Sequence, residues 1–142
     1  MTTSISICYS AIIKEILAQS ALRHVLRNDV PGLLCRDQEP ALRQLLESVL
    51  ARIVLEAGID CYEEQPSDPD IFHIELQGSL PNPSLFRALI EQAAAYSVMA
   101  SAYASADPKA ASHYSRMSDA SAKVARQILL ASAPASIAPH AF

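Results

Sequence analysis

The chain has 142 residues with 51% hydrophobic and 18% charged side chains, a length for one domain that buries roughly 68% of its unfolded surface and a composition outside the disordered class. Eleven basic residues against fifteen acidic ones leave a net charge of -4, which argues against broad electrostatic capture of nucleic acid or an anionic membrane. Three cysteines, Cys8, Cys35 and Cys61, are odd in number and never form a CxxC pair, so neither a disulfide framework nor a zinc site is indicated and a reducing compartment is the simplest setting.

In chain order, Ile5, Cys8, Ile12, Ile16, Leu17, Leu22, Val25 and Leu26 recur near a 3.6-residue period, which predicts a first amphipathic helix over residues 5–28, ended by Pro31-Gly32. Lys14 and Glu15 interrupt the apolar run and no basic residue precedes it, a pattern unlike a signal peptide. A second helix is predicted over 38–57, with Asp37 as its cap, Pro40 in its first turn and Gly58 beyond its end. Leu42, Leu45, Leu46, Val49, Leu50 and Ile53 supply its buried stripe, while Arg43 with Glu47 and Arg52 with Glu56 are surface i,i+4 pairs.

After Gly58 two β-capable runs, 59–64 and 71–77, flank the turn-rich connector Gln65-Pro66-Ser67-Asp68-Pro69-Asp70, which predicts a β-hairpin over 59–77. Two strands alone are marginal in water, so the hairpin leans on helices or joins a sheet from another subunit. Asn82-Pro83 opens a third helix over 83–105 and Asp107-Pro108 a fourth over 108–132. The short break between them makes an antiparallel αα-hairpin. Pro134 and Pro139 exclude a helix from residues 133–142, which read as an extended tail. The uncharged stretch Gln92 to Ala106 is too short and too rich in Ala and Ser to span a bilayer. The fold class is therefore mainly α: one four-helix bundle-like domain over 1–132 with an inserted β-hairpin, then the C-terminal tail.

Ala93, Ser97, Ser101 and Ser105 in the third helix, and Ala111, Ser115, Ser118, Ala122 and Ala125 in the fourth, form small-residue rows that let helix axes approach closely. Their first use is to seal the helical hairpin; a subunit contact is the second. Tyr96, Tyr103 and Tyr114 flank that seam, as core aromatics or with hydroxyls reaching water or a partner. Glu56, Asp60, Glu63, Glu64, Asp68, Asp70 and Glu75 fall between Arg52 and Arg87 with no Lys or Arg among them, so the hairpin is an acidic block. Lys109, Arg116 and Lys123 recur at intervals of seven, with Arg126 on the same side, and form a basic stripe. These are two ordinary solvated faces or, with Glu63, Glu64, Asp68 and Asp70 opposed to Arg116, Lys123 and Arg126, the charges of a head-to-tail subunit contact, which closes into a ring when the rotation permits.

No HExxH, GxSxG or glycine-rich phosphate loop is present, three glycines cannot build one, and His24, His73, His113 and His140 lack ligand spacing. Cys61 with His73 is the one thiol-base pairing the hairpin could form; a partly buried thiol beside a surface imidazole is the ordinary reading of it. No catalytic, cofactor or metal residues are assigned, and the chain reads as an assembly protein rather than an enzyme.

The segment Pro83 to Leu130, PSLFRALIEQAAAYSVMASAYASADPKAASHYSRMSDASAKVARQILL, resembles the head-to-tail adaptor or connector proteins of tailed bacteriophages. The shared pattern is an Ala- and Tyr-rich helix, a short acidic-Pro break, and a second helix with spaced Tyr and basic residues. It covers about a third of the chain; a long Ile-rich first helix departs from some members. The resemblance implies a structural virion protein of the neck, made in the host cytoplasm. It implies a homo-oligomeric ring, commonly dodecameric, that joins the portal protein to a downstream tail or neck protein and lines a channel through which DNA passes without sequence-specific binding. In similar adaptors a C-terminal segment docks into the portal; here that places Pro134, Ile137, Pro139 and Phe142 in the docking tail, with Ile137 and Phe142 as apolar anchors. No cofactor and no membrane are implied. The alternative function is a cytosolic helical module that grips a partner protein.

Overall fold

Alternation of Ile with Ser and Thr opens the chain as a strand: β1 spans Thr2–Cys8 and buries Ile5 and Ile7 while Ser4 and Ser6 face out. The computed structural model describes residues 2–26, 36–56 and 68–132. Helix α1, Tyr9–Leu26, follows β1 without a break. A 3₁₀ turn over Arg36–Gln38 leads into α2, Glu39–Glu56; β2 covers Ile71–Gln77, α3 Pro83–Tyr103 and α4 Pro108–Ser132. Among the described residues the chain is mainly helical, with four α-helices and a small two-stranded antiparallel sheet.

The sheet corrects two expectations. Residues 5–8 belong to β1 and not to the first helix, which starts at Tyr9. Strand 71–77 is present as predicted, but its described partner is the chain start and not the neighbouring run: Ile5 faces Ile74, Ile7 faces Phe72 and Cys8 faces Ile71. Residues 59–64, the predicted first arm of the hairpin, lie outside the described residues, as does the tail 133–142. The antiparallel register puts Ile5, Ile7, Phe72, Ile74 and Leu76 on one buried face, because side chains alternate with period two in both strands. Gly78 ends β2 at φ 95°, a backbone conformation that favours glycine. Its carbonyl accepts a 2.8 Å hydrogen bond from the Thr3 hydroxyl.

Helix α3 is the central element. Phe86, Ile90, Ala93, Ala94, Ala95, Val98, Met99 and Tyr103 are buried around most of its circumference, as expected of a helix packed on several sides. Its neighbours are α4, α2, α1 and β1. Asn82 caps its start, the side-chain oxygen accepting from the Leu85 amide at 3.1 Å, with Pro83 next in line. Helix α2 contributes Leu42, Leu46, Val49, Leu50, Ile53 and Val54; α1 contributes Ile12, Ile13 and Ile16 at one-turn spacing. Ser20 joins the same face, its hydroxyl 2.9 Å from the buried Tyr103 hydroxyl. Helix α4 lies antiparallel on α3 and buries only Ala110, Tyr114, Ser118, Ser121 and Ala125. Its cap is Asp107, whose carboxylate accepts from the Ala110 amide at 3.2 Å.

Candidate assembly surfaces

The seam between α3 and α4 is built as the small-residue rows predict, though only in part. Ala93, Ser97, Ser118 and Ala125 are buried and Ala111 and Ala122 half-buried. The Ser118 hydroxyl donates to the Ala93 carbonyl at 2.7 Å, a contact that only closely approaching helices can make. Ser101, Ser105 and Ser115 are exposed instead. For Ser101 and Ser115 the reason is geometric: four-residue steps advance about 400° around the axis, so each drifts ~40° and the row turns off the contact. Ser105 lies past the end of α3, which stops at Tyr103 and not at 105. Ser101 and Ser115 line a groove of about 470 Å³ beside α2, into which Arg52 reaches to donate to Ser97 Oγ at 2.7 Å. Tyr103 and Tyr114 are core aromatics with ring centroids 5.8 Å apart, and the half-buried Tyr96 stacks on Tyr114 at 6.0 Å.

The charged residues divide sharply. On α4, Lys109, Arg116, Lys123 and Arg126 are all exposed. At ~100° per residue Lys109, Arg116 and Lys123 lie across the axis from Tyr114, Ser118 and Ala125, and Arg126 sits about a quarter turn round from them. Lys123 and Arg126 border a shallow groove with Ile53 and Glu56 of α2. From Lys109 to Arg126 the stripe runs about 26 Å. None of the four makes an ion pair among the described residues.

Asp70 is placed differently from the other predicted contact charges among the described residues, Asp68, Arg116, Lys123 and Arg126, which are exposed. It is the hub of an internal node joining α1, α2 and β2: its carboxylate accepts from Ser10 Oγ at 2.7 Å, Cys8 Sγ at 3.1 Å and Arg43 Nη1 at 2.9 Å. Arg43 also donates to the Pro69 carbonyl, pairs with Glu47 at 3.6 Å and lies 5.0 Å from the Tyr9 ring centroid. These partners, the Ser10 hydrogen bond foremost and then that from Cys8, hold the Asp70 carboxyl below its usual range. Burial, reinforced by Glu47, pushes the Tyr9 phenol up to about 12. Asp68 is exposed, and its carboxylate turns the chain by accepting from the Asp70 amide at 2.9 Å. Glu63, Glu64, Pro134, Ile137, Pro139 and Phe142 lie outside the described residues, as does Cys61 of the thiol-base pair. His73, on β2, sits 3.4 Å from both Ser6 Oγ and Glu75.

No family model, curated protein or solved structure matches the chain.

A further acidic surface carries no sequence motif. Between α1 and α3 runs an open trough of about 340 Å³ with Glu15 on one wall and Glu91 on the other. Burial raises the Glu91 carboxyl above its ordinary value, against the opposing pull of Arg87 at 3.5 Å. The signal that could have found it is a glutamate set between Ile90 and the buried Ala93 to Ala95, a position where a carboxylate is half-shielded from water. Among the described residues no three His, Cys, Asp or Glu side chains converge as a metal site, and no helix is long and apolar enough to cross a membrane.

Proposed function

We propose that this protein is a structural subunit of the virion neck, an adaptor that assembles head to tail into a ring between the portal and the tail of a bacteriophage. The observation that carries the reading is the α3–α4 hairpin: small residues close its inner seam, and the outer side of α4 presents a row of four exposed cations. A cationic row that makes no ion pair among the described residues contributes little to the stability of one subunit, whereas charges on separate faces suit heterologous contacts. The same hairpin is the segment that resembles the phage adaptors. Exposed Asp68 and Glu75 give the turn and sheet a negative side, suited to a channel that lets DNA slide without holding it. Residues 133–142 serve as the peptide that docks into the portal.

Co-expression with the portal protein of the same genome, followed by electron microscopy, tests the reading. A ring of this protein beneath the portal is the expected result; solitary dimers in every condition would contradict it. A second reading, a helical module that grips another protein, draws on the α1–α3 trough. It predicts a stable one-to-one complex with that protein and no ring.

A further inference from the structure

We propose that the α1–α3 trough is the acceptor for the basic face of α4 from a second copy of this chain, so that Arg116 and Lys123 of one subunit seat against Glu15 and Glu91 of the next. The inference rests on the head-to-tail reading above and names the two surfaces that meet. Ala11, Glu15 and Gln19 line one wall of the trough at four-residue steps, and Ala88, Glu91 and Tyr96 line the other. Each wall spans about eight residues of helix, roughly 12 Å. Arg116 and Lys123 are seven residues apart, about 10.5 Å along α4, so both cations fit within one trough length.

Charge decides the occupant. Glu15 and Glu91 line the trough from opposite walls, and no Lys or Arg among the described residues lines it. Arg87 pairs with Glu91 with its side chain 51% exposed. Alanines on both walls leave room for a helix bearing long side chains. The subunit's own α4 is not available, because it packs on a different side of α3 through Ser118 and Ala93, and the Tyr96–Tyr114 stack joins it to α3 beside the trough. Donor and acceptor are therefore different surfaces of one chain, the arrangement that produces rings or filaments rather than closed dimers. Burial of Glu91, which disfavours its ionised form in the isolated subunit, is offset when a cation arrives.

The test uses the full chain and two charge-reversed forms, Glu15→Lys with Glu91→Lys, and Arg116→Glu with Lys123→Glu. In sedimentation velocity at low ionic strength, the unaltered chain associates with rising concentration up to the millimolar range, and added salt weakens the association. Each reversed form alone loses association on the order of a hundredfold, since like charges then face each other. Their equimolar mixture recovers it: the reversed trough meets the reversed stripe and the unaltered surfaces still match. A monomer at every concentration, a reversed form that associates like the unaltered chain, or a mixture that stays monomeric while circular dichroism shows both forms folded overturns the proposal. Should a reversed form fail to fold, carbodiimide coupling of a ¹⁴N/¹⁵N mixture of the unaltered chain gives the same decision. Mixed-isotope links from Glu15 or Glu91 to Lys123 support the contact, and links confined to other surfaces sink it. Portal binding without this pairing leaves the adaptor reading standing and removes only this contact; pairing without portal binding does the reverse.

Discussion

The carboxylate of Asp70 accepts hydrogen bonds from both the amide and the hydroxyl of Ser10, at 3.2 and 2.7 Å. A residue at the foot of β2 thereby caps a helix that begins 61 positions earlier, and its own carbonyl takes the Tyr9 amide at 2.9 Å. Asp70→Ala removes the cap and the Arg43 ion pair together. A loss of about 1–3 kcal/mol is expected, with Asp70→Asn less severe because an amide oxygen still accepts. Urea unfolding measures both.

The same node sets the pH dependence. Asp70 titrates below its ordinary value of 3.8 in the folded chain, so its contribution is present above that value and is lost as the pH falls through the lowered one. Tyr9 is shifted the other way, from 10.0 to about 12. Its contribution is complete below 10 and fades as the pH rises toward 12. Urea midpoints across a pH series should fall at both extremes. Asp70→Asn flattens the acid limb, and Tyr9→Phe flattens the alkaline one.

Close approach of α3 and α4 depends on Ala93, fully buried with its carbonyl bonded to Ser118. Ala93→Leu forces the helices apart and should cost about 2–3 kcal/mol. Ser118→Ala removes one buried hydrogen bond and should cost about 1 kcal/mol. Equal effects of the two substitutions on thermal unfolding would argue against a tight seam.

Glu91 separates stability from assembly. Its folded-state value is raised above 4.5 by burial, so whatever it contributes is present at low pH and lost as the pH rises through the raised value. Glu91→Gln should leave the subunit as stable or more stable at neutral pH, by chemical denaturation, while weakening self-association in sedimentation. Parallel losses in both measurements would show that Glu91 serves the fold alone.

Much of this architecture was legible in the residues. Asn82-Pro83 and Asp107-Pro108 placed the starts of α3 and α4 because capping is local chemistry, settled within one turn. The stripe of α2 was equally local, and Arg43–Glu47 and Arg52–Glu56 pair as their spacing requires. At the chain start Ile5, Cys8, Ile12 and Ile16 fit a helical period, while the shorter Ser4-Ile5-Ser6-Ile7 alternation carries the strand. Burial of Ile5 and Ile7 against Phe72 and Ile74 decided it, and that depends on a partner nearly 70 residues away. Asp70 looked like one charge in an acidic block for the same reason: its partners Ser10 and Arg43 lie on other elements. The trough was not legible, since Glu15 and Glu91 meet only when α1 packs on α3.

The proposed function requires that this protein form a ring on a portal. Mass photometry of the portal assembly from the same genome, titrated with the purified chain, tests it most directly. A single discrete increase in mass that saturates at a whole number of copies is the expected result. A portal mass that never changes, with the chain remaining monomeric or dimeric beside it, would contradict the proposed function.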